Sequence, residues 1–99
     1  MSNIKFTYQY RNAKNEKMLS EIIFSNPDDL RLGEIEYQLK SRLTNQEYFH
    51  HSHFMVPPLY GEYPDFDKNP EVHEFVRVEL TDEKTTDKRS ISDFITNIK

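Results

Sequence analysis

The chain has no cysteine, no tryptophan and only two glycines among its 99 residues. Without cysteine it can form no disulfide, no thiolate nucleophile and no cysteine-based zinc site, which fits a reducing cytoplasm. Gly33 and Gly61 are too far apart to build a glycine-rich phosphate loop, so ATPase, kinase and dinucleotide-binding functions are disfavoured. No window approaches the ~20 apolar residues of a membrane span, and no apolar signal sequence begins the chain. We therefore expect a cytoplasmic protein that makes no membrane contact.

The charge balance and the size narrow the possible partners further. A net charge of -4 and a pI near 5.5 make nucleic acid an improbable partner, because phosphate contacts need clustered Lys and Arg. The length predicts a single domain over residues 1–99. Aromatic residues make up 13% of the chain, so rings must supply much of the core. Frequent Lys, Asn and Ile are typical of AT-rich genomes and suggest a bacterial or mobile-element protein.

The first half of the chain predicts a hairpin followed by a helix. Residues 4–11 alternate strictly between apolar and polar side chains, as a half-buried strand does. The polar run 12–17 is expected to turn the chain into a second strand over residues 18–24. After Pro27, apolar residues recur at helical spacing and predict one buried stripe: Leu32, Ile35, Leu39 and Leu43.

The second half predicts one more strand and a short helix. Residues 72–80 alternate again, with four apolar residues expected on one face: Val72, Val76, Val78 and Leu80. The run 81–88 contains no apolar residue and is expected to be a solvated, mobile loop. Ser90 is a candidate N-cap, with Asp93 three residues on, for a C-terminal helix.

These elements predict an α+β fold with a three-stranded antiparallel or mixed sheet, in the order 2-1-3, and two helices on one face. Such a sheet has two open edges. Unpaired strand edges accept further strands, so the sequence predicts a homodimer or a complex formed by strand addition.

The irregular segment from 48 to 66 is the most distinctive part of the chain and holds six candidate binding residues: Tyr48, Phe49, Phe54, Tyr60, Tyr63 and Phe66. The rings can cap the open end of a small sheet and replace missing aliphatic core. They can also form a recognition surface, because Tyr and Phe are enriched at interface cores. The two interpretations are compatible. If the surface is real, replacing Tyr60 and Tyr63 with Ala abolishes partner capture.

Four histidines are candidate metal ligands: His50, His51, His53 and His73. Imidazole is the commonest transition-metal ligand, and Zn²⁺ is the possible cofactor. The spacing matches no established zinc signature, and exposed loop histidines are the simpler interpretation. No residue has the surroundings of a catalytic nucleophile, since neither glycine frames Ser52.

We therefore predict a noncatalytic module that binds a protein partner or itself, through a sheet edge and the aromatic segment. The alternative is a metal-dependent or histidine-based hydrolase of phosphoesters, which uses the four histidines. It requires those side chains to converge in one pocket. A third possibility is an acidic, antitoxin-like inhibitor of a basic partner.

Overall fold

The computed structural model describes residues 2–11, 15–59 and 72–98. Its helices and strands follow in the order β1 (Asn3–Arg11), β2 (Lys17–Phe24), α1 (Leu32–Lys40), β3 (Tyr48–His50), α2 (His51–Phe54), β4 (Val72–Thr81) and α3 (Ile91–Thr96). The strands form an antiparallel sheet in the order β2-β1-β4-β3. Across the described ranges, none of the helices has the length and apolar character needed to cross a membrane.

The predicted α+β class is confirmed, and the predicted sheet is corrected from three strands to four. The predicted neighbours are present, since β1 lies between β2 and β4. The additional strand, β3, is only three residues long and lies in the aromatic segment. So short a strand gives no alternating pattern to detect. The helices number three rather than two among the described residues, because α2 is a single turn of four residues.

Rings on one face of β1 form the centre of the core. Ile4, Phe6, Tyr8 and Tyr10 are buried, as the alternation predicted. All three helices contribute buried side chains to the same cluster, and this places them on one face of the sheet. Phe94 of α3 packs against Phe24 and Phe6, with ring centroids 4.4 and 5.2 Å apart. Among the described residues, aromatic rings thus share the core with aliphatic side chains such as Ile35 and Leu39.

A β-bulge in β4 overturns the predicted faces of that strand. Thr7 of β1 pairs with Arg77, but the next residue, Tyr8, pairs with Phe75, so Val76 is an extra residue in the ladder. Val78 is buried as expected. Before the bulge the alternation shifts by one residue, so His73 is fully buried on the core face. The expectation that Val72 shares a face with Val78 was therefore wrong, because Val72 pairs with His50 on the outer face, while Val76 has no partner in the ladder.

Arg89 connects the segment before α3 to the end of α2. Its guanidinium donates hydrogen bonds to the carbonyl oxygens of Phe54 and Met55, at 3.2 and 3.0 Å. It also donates to the Asp87 carboxylate at 2.9 and 2.8 Å. This contact lowers the pKa of Asp87. The guanidinium carbon lies 5.5 Å from the ring centroid of Phe24 and 5.1 Å from that of Phe94. One cation thereby satisfies two helix-end carbonyls and covers two core rings.

The Tyr8 hydroxyl gives the fold a measurable dependence on alkaline pH. It is buried and donates a hydrogen bond of 2.8 Å to the Pro57 carbonyl. Burial raises the pKa of Tyr8 to about 12, because the tyrosinate would lose its hydration. The unfolded chain releases this proton near pH 10. Stability is therefore fully present below pH 10 and is lost as pH rises toward 12, by roughly 2 kcal/mol.

The Tyr8→Phe variant isolates this effect. At pH 8 it should lose only the hydrogen bond, about 1 kcal/mol. Between pH 10 and 12 it should lose roughly 2 kcal/mol less than the parent protein, because it has no hydroxyl to ionise. Urea unfolding at pH 8, pH 10 and pH 12 measures both differences. An equal alkaline loss in the two proteins would contradict the assignment.

Candidate functional site

The β3 edge of the sheet is short and partly closed. The outward backbone groups of Tyr48 are paired with Thr44: the Thr44 N–H donates to the Tyr48 carbonyl at 2.8 Å, and the Tyr48 N–H donates to the Thr44 carbonyl at 2.9 Å. Because β3 has only three residues, this pairing leaves little backbone there for another strand.

The C-terminal half of the β2 edge is also closed, by residues that the sequence predicted to be a solvated loop. The Ile23 N–H donates to the Thr86 hydroxyl at 2.9 Å, and the Thr86 N–H donates to the Ile23 carbonyl at 2.9 Å. Further along, the Ile91 N–H donates to the Ser25 carbonyl at 2.8 Å. Residues 82–86 are exposed, as the predicted solvated loop requires. The sequence did not predict the pairing with Ile23, because an all-polar run gives no sign of a long-range backbone contact.

The N-terminal half of the β2 edge is open. Ile23 points its backbone groups away from β1, and the direction of these groups alternates along a strand. Lys17, Leu19 and Glu21 therefore also point their N–H and C=O groups outward, while the residues between them pair with β1. No backbone hydrogen bond from another residue in the described ranges reaches these outward groups. We call residues 17–21 the open edge.

The open edge has an apolar centre and charged ends. Leu19 is 56% exposed and Met18 is 43% exposed. Lys17, Leu19 and Glu21 lie on the outer face of the sheet, because they pair with Arg11, Gln9 and Thr7 respectively. Leu19 is thus an exposed apolar side chain at the border of a polar face.

Ion pairs organise the outer face beside the open edge. The Lys5 ammonium lies 3.1 Å from the Glu21 carboxylate and also pairs with Glu83. Hydrogen bonds to Glu83 and then to Glu21 raise the pKa of Lys5. Farther along, Glu74 accepts hydrogen bonds from Gln9 at 2.8 Å and from Arg11 at 3.1 Å. Glu21 is therefore already held in place by one cation.

The aromatic candidates divide between the core and the surface. Phe49 and Phe54 are 3% and 2% exposed, and their rings stack with centroids 4.4 Å apart. Tyr48 is 36% exposed. It lines a cavity of about 240 Å³ together with Thr44, Phe49, His50 and Val72. The other three candidates lie outside the described residues: Tyr60, Tyr63 and Phe66.

The histidine candidates form two ring pairs. The rings of His50 and His53 are 4.9 Å apart, and those of His51 and His73 are 5.2 Å apart. The Leu59 N–H donates to Nε2 of His73 at 3.1 Å, so this nitrogen is an unprotonated acceptor. Within the three described ranges, no group of three or more His, Asp or Glu side chains is placed to hold a metal ion.

Known proteins add no constraint to this geometry. No family model, curated protein or solved structure matches the chain. The function must therefore be argued from the open edge and the side chains around it.

Sequence reasoning predicted an available sheet edge but did not identify its residues. One signal was present. The segment Lys17–Phe24 places Leu19 and Ile23 on the face opposite Ile22 and Phe24, so apolar residues occur on both faces. Ile23 is buried and its backbone is paired with Thr86, whereas Leu19 is exposed. An exposed Leu on the polar face of an edge strand is the sign that the sequence offered.

Proposed function

We propose that the protein is a noncatalytic binding module that pairs an extended segment with the open edge. The observation that supports this most directly is the outward direction of the backbone groups of Lys17, Leu19 and Glu21. Unpaired N–H and C=O groups in a row are a template for a further strand, and main-chain hydrogen bonds then supply the affinity.

The ends of the open edge limit the length of the bound segment. Thr86 occupies the outward groups of Ile23 on one side. On the other side, Asn15 has a φ of 65°, which is outside strand geometry. The bound strand can therefore pair over about five residues. Leu19 would contact it on the outer face and Met18 on the helix-covered face, because neighbouring residues of a strand point to opposite sides.

The alternative hydrolase has less support. It requires four histidines to converge in one pocket, whereas the described rings form two pairs. His73 is fully buried and already accepts a hydrogen bond from Leu59. A binding module needs none of these side chains to react.

A proline substitution tests the proposed function without disturbing the rest of the sheet. Leu19→Pro removes an N–H that points away from β1, and proline is tolerated on a strand edge. Leu19→Ala is the matched control, because it removes the side chain and keeps the N–H. Peptides of random sequence are selected for binding to the parent protein. They should retain most of their affinity for Leu19→Ala, whereas their affinity for Leu19→Pro should be at least tenfold lower.

Two measurements make this test decisive. Circular dichroism and thermal unfolding must show that Leu19→Pro is folded, and amide NMR should place the peptide-induced shifts at residues 17, 19 and 21. Peptides that bind Leu19→Pro as tightly as the parent protein would overturn the proposal, as would a selection on monomeric protein that enriches no peptide.

A further inference from the structure

We propose that the strand bound at the open edge is the same strand of a second copy of this chain, paired antiparallel about a two-fold axis at Leu19. This inference rests on the proposed function and names its partner. A two-fold interface must be self-complementary, because every contact between one residue of the first copy and another residue of the second copy occurs twice. The open edge satisfies this condition.

The backbone fixes which residues meet. With the axis at Leu19, this residue faces Leu19 of the second copy, and Lys17 faces Glu21 in both directions. These are the residues whose N–H and C=O groups point outward. Each pair can therefore exchange two N–H···O bonds, as in a regular antiparallel ladder. Met18 and Ser20 would form the intervening pairs.

Charge favours the same register. Opposite charges directly across an antiparallel pair are stabilising, and like charges are destabilising. The Lys17 and Glu21 pairing puts opposite charges at both ends of the contact. Glu21 is already held by Lys5 at 3.1 Å, so its carboxylate would lie between a cation of its own chain and a cation of the second copy. The exposed Leu19 would be covered by its equivalent at the centre.

Neighbouring registers are excluded by features at the two ends. An axis at Ser20 would place Lys17 opposite Ile23, whose outward groups already pair with Thr86. An axis at Met18 would place Glu21 opposite Asn15, whose positive φ ends the strand. Only the axis at Leu19 uses every outward group between these limits.

Cysteine cross-linking tests the register directly, because the chain has no cysteine of its own. Paired residues have Cα atoms about 5.5 Å apart, within the range that a disulfide spans. Leu19→Cys should therefore give a disulfide-linked dimer on mild oxidation. Lys17→Cys should not, because the two copies of residue 17 would lie about 13 Å apart along the strands. The double variant Lys17→Cys/Glu21→Cys should cross-link again, so lost charge cannot explain the negative control.

Charge reversal tests the same pairing without oxidation. Lys17→Glu places like charges at both ends of the contact and should weaken dimerisation about tenfold in sedimentation equilibrium. Lys17→Glu/Glu21→Lys restores opposite charges and should recover most of the lost affinity. Leu19→Pro should abolish the dimer.

Two results would overturn the second copy as partner. One is a monomer at millimolar concentration with no more Leu19→Cys cross-link than the Lys17→Cys control. The other is a dimer that Leu19→Pro and Lys17→Glu leave unchanged. If either is found while library peptides still lose affinity on Leu19→Pro, the edge-binding function stands with a different partner. If those peptides are indifferent to Leu19→Pro, the function itself fails.

Discussion

Replacing Arg89 with Ala is expected to lower the free energy of unfolding by about 3 kcal/mol. The side chain is mostly buried and makes three kinds of contact at once. It donates to the carbonyls of Phe54 and Met55, it pairs with Asp87, and it lies over two core rings. Its removal leaves helix-end carbonyls without their donor and an Asp87 carboxylate without its cation. Unsatisfied groups of this kind cost more than the lost bonds alone.

Two further variants separate the contributions of Arg89. Arg89→Lys keeps the charge, but a single ammonium group cannot donate to both carbonyls and the carboxylate at once. An intermediate loss of unfolding free energy is therefore expected. Arg77→Ala is the control, because Arg77 is exposed and its pair with Glu79, at 3.4 Å, is a surface pair. It should cost less than 0.5 kcal/mol. Urea unfolding of the three variants measures the series, and equal losses for Arg89→Ala and Arg77→Ala would contradict the role given to Arg89.

The second large effect is expected at His73, where replacement by Ala should cost about 3 to 4 kcal/mol. The ring is fully buried among Tyr8, Tyr10, Phe49 and His51, with centroids between 5.1 and 6.1 Å away. Alanine would leave a cavity where the ring packs. It would also leave the Leu59 N–H without the Nε2 acceptor that it now has at 3.1 Å.

A phenylalanine at this position separates packing from hydrogen bonding. His73→Phe keeps an aromatic ring, although a larger one, and removes the acceptor, so it should lose about 1 to 3 kcal/mol and less than His73→Ala. His53→Ala is the matched control, because that imidazole is exposed and its removal should change stability by less than 0.5 kcal/mol. Thermal and urea unfolding give the comparison. If His53→Ala lowered the free energy of unfolding as much as His73→Ala, burial could not be the reason for the effect at His73.

The parts of the fold that sequence predicted well are those with local signals. The strict alternation of residues 4–11 identified β1 and its buried face. Ser90 accepts a hydrogen bond from the Asp93 N–H at 3.1 Å, so the predicted cap of α3 is confirmed. The stripe through Ile35 and Leu39 identified the buried face of α1, although the helix ends at Lys40, before Leu43. Each of these features depends on residues close together in the chain.

The parts that sequence missed depend on distant partners. The pairing of Thr86 with Ile23 joins residues 63 apart, and neither segment contains a sequence pattern that predicts it. The burial of His73 follows from the bulge at Val76, which shifts the faces of β4. The limits of the candidate site also depend on distant contacts and local backbone geometry. The open edge is bounded by the pairing of Thr86 with Ile23 at one end and by the positive φ of Asn15 at the other. A sheet edge was predictable, but its limits were not.

The bulge in β4 also determines how the chain can tolerate insertions and deletions. A strand whose partner is fixed normally cannot gain or lose a residue, because every side chain beyond the change turns to the other face. Val76 is already supernumerary in the ladder. Loss of its codon would leave a regular strand in which Phe75 still faces Tyr8 and His73 still faces the core. Loss of residue 74 would instead turn one core side chain to the outer face: His73 if the bulge is kept, or Phe75 if the bulge is lost. Over residues 72–77, a one-residue deletion is therefore expected to be tolerated best at the bulge itself.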